Sequence, residues 1–173
     1  MKKYLPDMYS KSIFDIDYKL LKKKGIKCLI FDLDNTIALI DENITPKKTK
    51  DLFDKLQKDF KVIIISNNFK KRVEFYSKQL GVDFISFAMK PSIKGLTQVK
   101  LKYKYNKKEM CMIGDQIMTD VLSGNHFGIY TVLVDPLGEK DLKITKLNRF
   151  LEGRVLVKLN KKYNFKKGTY YGK

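Results

Sequence analysis

The 173-residue chain contains no tryptophan, a single histidine and two cysteines. One histidine excludes any mechanism that needs a histidine pair. Cys28 and Cys111 lack the spacing of a zinc site, and both fall in apolar segments typical of strands, which favours buried free thiols. No apolar run approaches the roughly 20 residues that cross a bilayer, and residues 1–25 lack the apolar core of a secretory signal. We therefore expect a cytoplasmic protein, with peripheral contact to the inner face of the membrane as an option.

Acidic residues are absent from residues 153–173, which we interpret as a basic C-terminal tail. Its basic residues are Arg154, Lys158, Lys161, Lys162, Lys166, Lys167 and Lys173, and its interleaved aromatic residues are Tyr163, Phe165, Tyr170 and Tyr171. This composition suits a polyanionic surface, either a membrane leaflet or nucleic acid. It equally suits a solvated tail, and the sequence leaves both interpretations open.

Apolar runs alternate with amphipathic stretches, which is the pattern of βαβ units around a parallel sheet. The runs that predict strands are residues 28–31, 62–65, 83–88, 110–113 and 130–134. The stretches that predict helices are residues 46–58, 69–80, 92–103 and 119–127. Residues 1–24 predict a helical extension, which packs on the sheet edge or serves as a lid or membrane contact. The chain is thus predicted to form one α/β domain over residues 1–173, with three layers and a five-stranded parallel sheet.

Polar residues follow the predicted strands at the sheet edge where an open parallel sheet binds its ligands. After the first four strands come, in turn, Asp32-Leu33-Asp34-Asn35-Thr36, Ser66-Asn67-Asn68, Lys90-Pro91, and Gly114-Asp115 with Asp120 one turn later. Burying several carboxylates together is costly unless a cation neutralises them. Carboxylate oxygens and a few waters are the ligands that Mg²⁺ prefers. The pattern therefore predicts a magnesium site at this edge.

These residue types also suit phosphoryl transfer. One aspartate can attack phosphorus and form an aspartyl-phosphate, while a second protonates the leaving oxygen and then deprotonates the attacking water. Ser66, the amides near Asn67 and Lys90 can donate to the equatorial phosphoryl oxygens. A hydrolase that pairs Ser66 with His126 is an alternative, but the sequence around Ser66 lacks the G-x-S-x-G elbow.

The four motifs, in this order, resemble those of phosphatases of the haloacid dehalogenase (HAD) superfamily. They are DxDxT at residues 32–36, the serine at 66, the lysine at 90 and GDxxxxD at residues 114–120. The resemblance implies that Asp32 is the nucleophile and Asp34 the general acid/base. It also implies that Mg²⁺ is held by Asp32, the main-chain carbonyl of Asp34 and Asp115, with support from Asp120.

The same resemblance implies a substrate-binding set composed of Thr36, Ser66, Asn67 and Lys90. In this set Ser66 and Lys90 bind the phosphoryl group, and Thr36 stabilises the loop after the nucleophile. Members of the superfamily often carry cap domains between these motifs. Here residues 34–66 and 66–90 leave no room for a folded cap, so we expect an open site that admits a phosphate attached to something large.

Further strings resemble the YqeG-type branch of HAD subfamily IIIA, whose relatives in eukaryotic organelles are phosphatidylglycerophosphate phosphatases. They are Ser12-Ile13-Phe14-Asp15-Ile16-Asp17, Gly25-Ile26-Lys27, Ser66-Asn67-Asn68, Lys90-Pro91 and Gly114-Asp115-Gln116 with Thr119-Asp120. The resemblance implies a Mg²⁺-dependent phosphomonoester hydrolase that acts on phosphatidylglycerophosphate, an anionic phospholipid, at a membrane surface. A phosphatase of a soluble or nucleic-acid phosphomonoester is an alternative. An alternative of another class is a basic RNA- or ribosome-associated protein.

Overall fold

Six parallel strands form one sheet in the computed structural model, which describes residues 1–138 and 143–172 (for 143–150, the backbone alone). The strands are β1 (Met8–Ser10), β2 (Cys28–Phe31), β3 (Lys61–Ile65), β4 (Asp83–Ile85), β5 (Met110–Gly114) and β6 (Tyr130–Val134). Their order across the sheet is β1-β6-β5-β2-β3-β4, and every neighbouring pair is parallel. Strand β2 is central and buried over its whole length. Its sequence is therefore a continuous apolar run.

The prediction of five strands is wrong by one. Met8–Ser10 pairs with β6 as a sixth, edge strand, within the segment predicted as a helical extension. The helix in that segment, α1, is confined to Tyr18–Lys23, and the Asp17 carboxylate caps it by accepting the Leu20 N–H at 2.8 Å. A strand of three residues is too short to display an alternating pattern, and all three residues of β1 are buried.

The predicted helices are present with slightly different bounds. They are α2 (Lys47–Leu56), α3 (Lys70–Leu80), α4 (Lys94–Tyr103) and α5 (Leu122–Phe127). A further helix, α6 (Lys143–Tyr163), was not predicted. Helices α3 and α5 end at Gly81 and Gly128, both in the left-handed conformation that glycine adopts without strain. The helix predicted from residue 119 is preceded by a π-helical turn, Ile117–Val121.

Helices cover both faces of the sheet, so the predicted three-layer α/β architecture is confirmed. Successive residues of β2 face opposite layers: Leu29 and Phe31 pack in the cluster that includes α1, α2 and α3, and Cys28 and Ile30 pack in the cluster that includes α4. Both cysteines are buried and free, as predicted. Burial raises the pKa of the Cys28 thiol to about 12, so this thiol stays protonated and chemically inert.

The predicted basic tail is largely folded onto the protein. Residues 153–163 belong to α6, and the following residues return to the β1 edge, where Tyr9 and Tyr171 exchange two backbone hydrogen bonds of 3.0 Å. Phe165 is buried, and its ring centroid lies 5.5 Å from that of Tyr9. Within residues 1–138 and 143–172, no helix combines the length and the apolar character that crossing a membrane requires.

Candidate active site

Lys90 occupies the centre of a buried charged cluster at the carboxyl ends of the strands. Its ammonium lies 2.5 Å from Oδ1 of Asp32 and 2.6 Å from Oδ1 of Asp120, and it also donates to the Ile65 carbonyl at 3.3 Å. Asp32 directly follows β2, and its N–H extends the strand ladder by donating to the Ile113 carbonyl at 2.8 Å. Sheet pairing therefore fixes the backbone of Asp32, and Lys90 fixes its carboxylate.

Asp115 joins Asp32 and Asp120 in this cluster, and the structure brings these predicted residues together. Each of the three offers one carboxylate oxygen, and these oxygens lie within 4.8 Å of one another. When all groups are ionised, three buried carboxylates lie around one ammonium, so carboxylates outnumber ammonium groups in this cluster. A divalent cation with a preference for oxygen ligands, such as Mg²⁺, would balance that charge, so the residues fit the predicted metal.

The electrostatics of the cluster follow from burial and crowding. Burial raises the pKa of the Asp32 carboxyl well above its usual range, and the neighbouring aspartates raise it further, while Lys90 acts in the opposite direction. For Lys90, burial favours the neutral amine, but the carboxylates of Asp120 and Asp32 outweigh it and raise the pKa of the ammonium. Lys90 is thus held as an ammonium, and a cation bound among the carboxylates would lower the pKa of Asp32.

Asp34 lies beside this cluster and is held by two residues, Asn68 of the second motif, to which no role was assigned, and Arg72, which no motif includes. Its Oδ1 accepts from Nε of Arg72 at 2.8 Å, and its Oδ2 accepts from Nδ2 of Asn68 at 3.0 Å. The remaining Arg72 nitrogens donate to the carbonyls of Leu39 at 2.7 Å and Glu42 at 3.1 Å. Arg72 therefore ties Asp34 to the loop that follows the first motif.

A weak signal for Arg72 exists in the sequence. The basic residues of this chain are nearly all lysine, and arginine occurs only at positions 72, 149 and 154. Arginine is the basic residue that can donate in several directions at once from a planar fork. Its use at position 72 matches the three acceptors that it meets.

Asn67 organises the loop that carries Lys90. Its Oδ1 accepts the Lys90 N–H at 2.7 Å, and its Nδ2 donates to the Lys90 carbonyl at 3.0 Å. Both ends of this amide therefore contact the Lys90 backbone, which gives Asn67 a positioning role in this structure, and its predicted contact with substrate stays a prediction. The neighbouring Ser66 is 1% exposed, and its Oγ accepts the Asn68 N–H at 3.0 Å, which leaves the hydroxyl proton available to a ligand.

Thr36 contacts the cluster through Asp115. Its hydroxyl donates to Oδ1 of Asp115 at 3.3 Å, and both side chains are buried. The turn from Asp32 to Thr36 includes Asn35. Its φ of 61° corresponds to a left-handed conformation that asparagine tolerates better than most residues. The predicted role of Thr36 in stabilising the loop after Asp32 stays a prediction.

His126 does not approach this site. It lies in the last turn of α5, which leads back to the start of β6 at the amino ends of the strands, whereas Ser66 follows the carboxyl end of β3. The alternative in which Ser66 and His126 form a hydrolytic pair is therefore wrong.

Gly114 is required by the close approach of Asp120. A Cβ at position 114 would lie 2.3 Å from both Cγ and Oδ2 of Asp120. We expect Gly114→Ala to displace this carboxylate from Lys90 and to lower the free energy of unfolding by about 1–3 kcal/mol, measured by urea denaturation. Gly153→Ala is the matched control, because no atom lies within 4 Å of a Cβ at that position. Equal stability of the two variants would contradict the described packing.

Comparison with known proteins places this site in a family. The chain matches the family model described as mitochondrial PGP phosphatase over residues 1–137. It is 40% identical over 162 residues to YqeG of Bacillus subtilis (strain 168), named as a probable phosphatase, with 93% of this chain and 94% of YqeG covered. It is 27% identical over 143 residues to the chloroplastic phosphatidylglycerophosphate phosphatase 1 of Chlamydomonas reinhardtii, covering 77% of this chain but only 53% of that protein.

Solved structures agree on the fold. A crystal structure of a protein from Listeria monocytogenes serotype 4b superposes with a TM-score of 0.54 at 17% identity, covering 73% of this chain and 97% of the other. The HAD hydrolase YfnB of Bacillus subtilis, solved with bound magnesium, superposes with a TM-score of 0.50 at 13% identity, covering 74% and 99%. The predicted resemblance to HAD phosphatases is thus confirmed. The comparisons support an enzyme over the alternative of an RNA- or ribosome-associated protein. The chain belongs to the mitochondrial PGP phosphatase family and is a phosphoric monoester hydrolase of the HAD superfamily.

Proposed function

We propose that the protein hydrolyses a phosphomonoester in two steps, with Asp32 as the nucleophile. The observation that carries the proposal is the buried cluster in which Lys90 contacts both Asp32 and Asp120, with Asp115 beside them. In the first step an Asp32 carboxylate oxygen forms a bond to phosphorus, the bond from phosphorus to the leaving oxygen breaks, and that oxygen takes a proton from Asp34. In the second step Asp34 removes a proton from water, which attacks phosphorus and releases phosphate from Asp32.

The other residues bind and orient the phosphoryl group. Lys90 and the Ser66 hydroxyl would donate to its equatorial oxygens, where negative charge accumulates during transfer. Asn67 acts on Lys90, and Thr36 acts on Asp115, so both are positioning residues. Mg²⁺ held by Asp32, the Asp34 carbonyl and Asp115, with Asp120 in support, would supply charge neutralisation for the phosphoryl oxygens.

Removing the metal should remove the activity. We expect a chelator to abolish hydrolysis of p-nitrophenyl phosphate and added Mg²⁺ to restore it. Saturating Mg²⁺ should also raise the stability of the folded protein, by about 2.7 kcal/mol at 100 times the dissociation constant. The stabilisation is measured as the rise in the thermal unfolding midpoint on addition of Mg²⁺. This rise should be largely lost in Asp115→Asn, whereas the control Asp54→Asn, at an exposed position on α2, should keep it. Unchanged activity in chelator would overturn the Mg²⁺ dependence.

We propose phosphatidylglycerophosphate, presented at the inner face of the membrane to a cytoplasmic enzyme, as the substrate. Support comes from the matched family and from the chloroplastic relative, which is named for this activity. The loops at residues 32–46 and 66–69 carry no folded cap, so the phosphate can remain attached to a large molecule. A groove of about 570 Å³ next to Asp34 is lined by Asn43, Asn68, Phe69, Lys71, Arg72 and Phe75, which suits a lipid that combines an anionic headgroup with apolar chains.

A substrate panel tests this assignment. Phosphatidylglycerophosphate in vesicles is compared with glycerol 3-phosphate, nucleoside 5′-monophosphates and a 5′-phosphorylated oligonucleotide, which represent the soluble and nucleic-acid alternatives. We expect the highest kcat/KM for the lipid. A soluble ester or the oligonucleotide that is hydrolysed as efficiently as the lipid would refute the lipid assignment while leaving the mechanism intact.

A further inference from the structure

Four large apolar side chains are exposed at the edge of the catalytic site. Phe69 is 71% exposed, Phe87 55%, Met89 62% and Ile93 42%. The rings of Phe69 and Phe87 meet edge to face, with centroids 5.5 Å apart. We call these four residues the apolar rim.

The loops that carry the apolar rim also carry the active site. Phe69 directly follows Asn68, which binds Asp34, while Phe87 and Met89 lie three residues and one residue before Lys90. The Phe87 N–H donates to the Asn68 carbonyl at 3.2 Å and joins the two loops. The apolar rim therefore lies at the carboxyl ends of β3 and β4 and has a fixed position relative to the catalytic groups.

The backbone displays two of these side chains at an energetic cost. Phe87 and Met89 have φ values of 50° and 56°, a left-handed conformation that bulky residues avoid, and Ala88 between them is buried. Folding gains no core packing from side chains that point outward from strained positions. Strain of this kind is found mainly where function requires it.

The surroundings of the apolar rim are positively charged. Lys70, Lys71 and Lys94 are exposed beside it, and residues 60–73 and 84–108 contain no aspartate or glutamate. Apolar side chains that enter the acyl boundary, flanked by lysines that meet anionic headgroups, form the usual arrangement of an interfacial binding surface. The positive charge complements an anionic bilayer.

We propose that the apolar rim is the surface by which the enzyme docks on an anionic membrane, with Phe87 and Met89 inserted among the headgroups and the site facing the bilayer. The inference rests on the proposed function, since it explains how a phosphate on a membrane lipid reaches Asp32. It assigns the contact to the β3–β4 edge of the sheet. The aromatic residues Phe165 and Tyr171 of the C-terminal segment pack against Tyr9 at the opposite edge.

The test is a double variant, Phe87→Asn with Met89→Asn. Asparagine tolerates the left-handed conformation, so the thermal unfolding midpoint should stay equal or rise. We expect partitioning onto vesicles of phosphatidylglycerol and phosphatidylcholine to fall about tenfold, because two apolar side chains no longer bury surface in the interface. Hydrolysis of phosphatidylglycerophosphate in those vesicles should fall in parallel, and hydrolysis of p-nitrophenyl phosphate should stay unchanged. The matched control is Leu101→Asn, at a 70% exposed position in the last turn of α4.

Each outcome has a defined meaning. Equal vesicle binding of the double variant, the control and the unmodified protein would overturn the docking surface while the phosphatase mechanism stands. A double variant that loses a dimer, detected by light scattering, and keeps vesicle binding would assign the apolar rim to self-association and also overturn it. An unmodified protein without activity on any phosphomonoester would refute the proposed function, whereas vesicle sedimentation would still report on the apolar rim.

Discussion

Asp32→Asn should lower phosphatase activity by on the order of 10⁴-fold or more, the loss expected when a covalent nucleophile is removed. The amide has nearly the shape of the carboxylate but cannot attack phosphorus. Lys90 would still contact Asp120 at 2.6 Å in the unmodified geometry, so the site should stay assembled. The measurements are kcat/KM for p-nitrophenyl phosphate and acid-quench trapping of radiolabelled phosphate on the protein.

Asp54→Asn is the matched control for this variant, because it makes the same chemical change at an exposed position of α2. It should keep full activity and the trapped phosphoryl label. A label that persists in Asp32→Asn, or activity within about tenfold of the unmodified protein, would show that another group attacks phosphorus.

Lys90→Met should be the most destabilising single change at the site. Methionine fills a similar volume but leaves the buried carboxylates of Asp32 and Asp120 without their shared cation. We expect the free energy of unfolding without metal to fall by about 3–5 kcal/mol, as for other buried ion pairs that lose one partner. Activity should fall by about 10²–10³-fold, because a donor to the phosphoryl oxygens is lost.

Urea denaturation in chelator and in Mg²⁺ measures the stability effect. Because Mg²⁺ would supply positive charge to the same carboxylates, it should recover part of the loss, and more than it adds to the unmodified protein. Lys108→Met, at an exposed position, is the control and should be nearly neutral. If Lys90→Met unfolded at the same urea concentration as this control, the ion pairs would contribute nothing to stability.

The sequence predicted best those elements that are long and buried. Strands β2, β3, β5 and β6 are largely apolar runs, and the helices between them carry an apolar stripe. The N-terminal strand was missed because three residues cannot reveal a period of two, and because its burial depends on the C-terminal segment that returns to cover it. That pairing joins residues far apart in the chain, and local patterns do not encode it.

The residues of the candidate site also divide into those that local sequence patterns predict and those that depend on tertiary packing. Asp32, Lys90, Asp115 and Asp120 were predictable, because each follows a strand and the carboxyl ends of parallel strands meet at one edge. Arg72 was not, because its role depends on how α3 docks against the loop after β2. The composition of the C-terminal tail left its role open, and it could not show that Phe165 is a buried core residue, because that burial depends on packing against Tyr9.

The π-helical turn at Ile117–Val121 determines the spacing of Asp115 and Asp120 in the sequence. The Val121 N–H bonds to the Gln116 carbonyl at 3.2 Å, which adds one residue to the turn relative to an α-helix. We expect deletion of one residue from Ile117 to Thr119, within this turn, to restore regular winding and to rotate the Asp120 carboxylate by about 100° around the helix axis, away from Lys90. The spacing of the fourth motif is therefore a geometric constant of this enzyme, and loop engineering or chimaera construction must leave its length untouched.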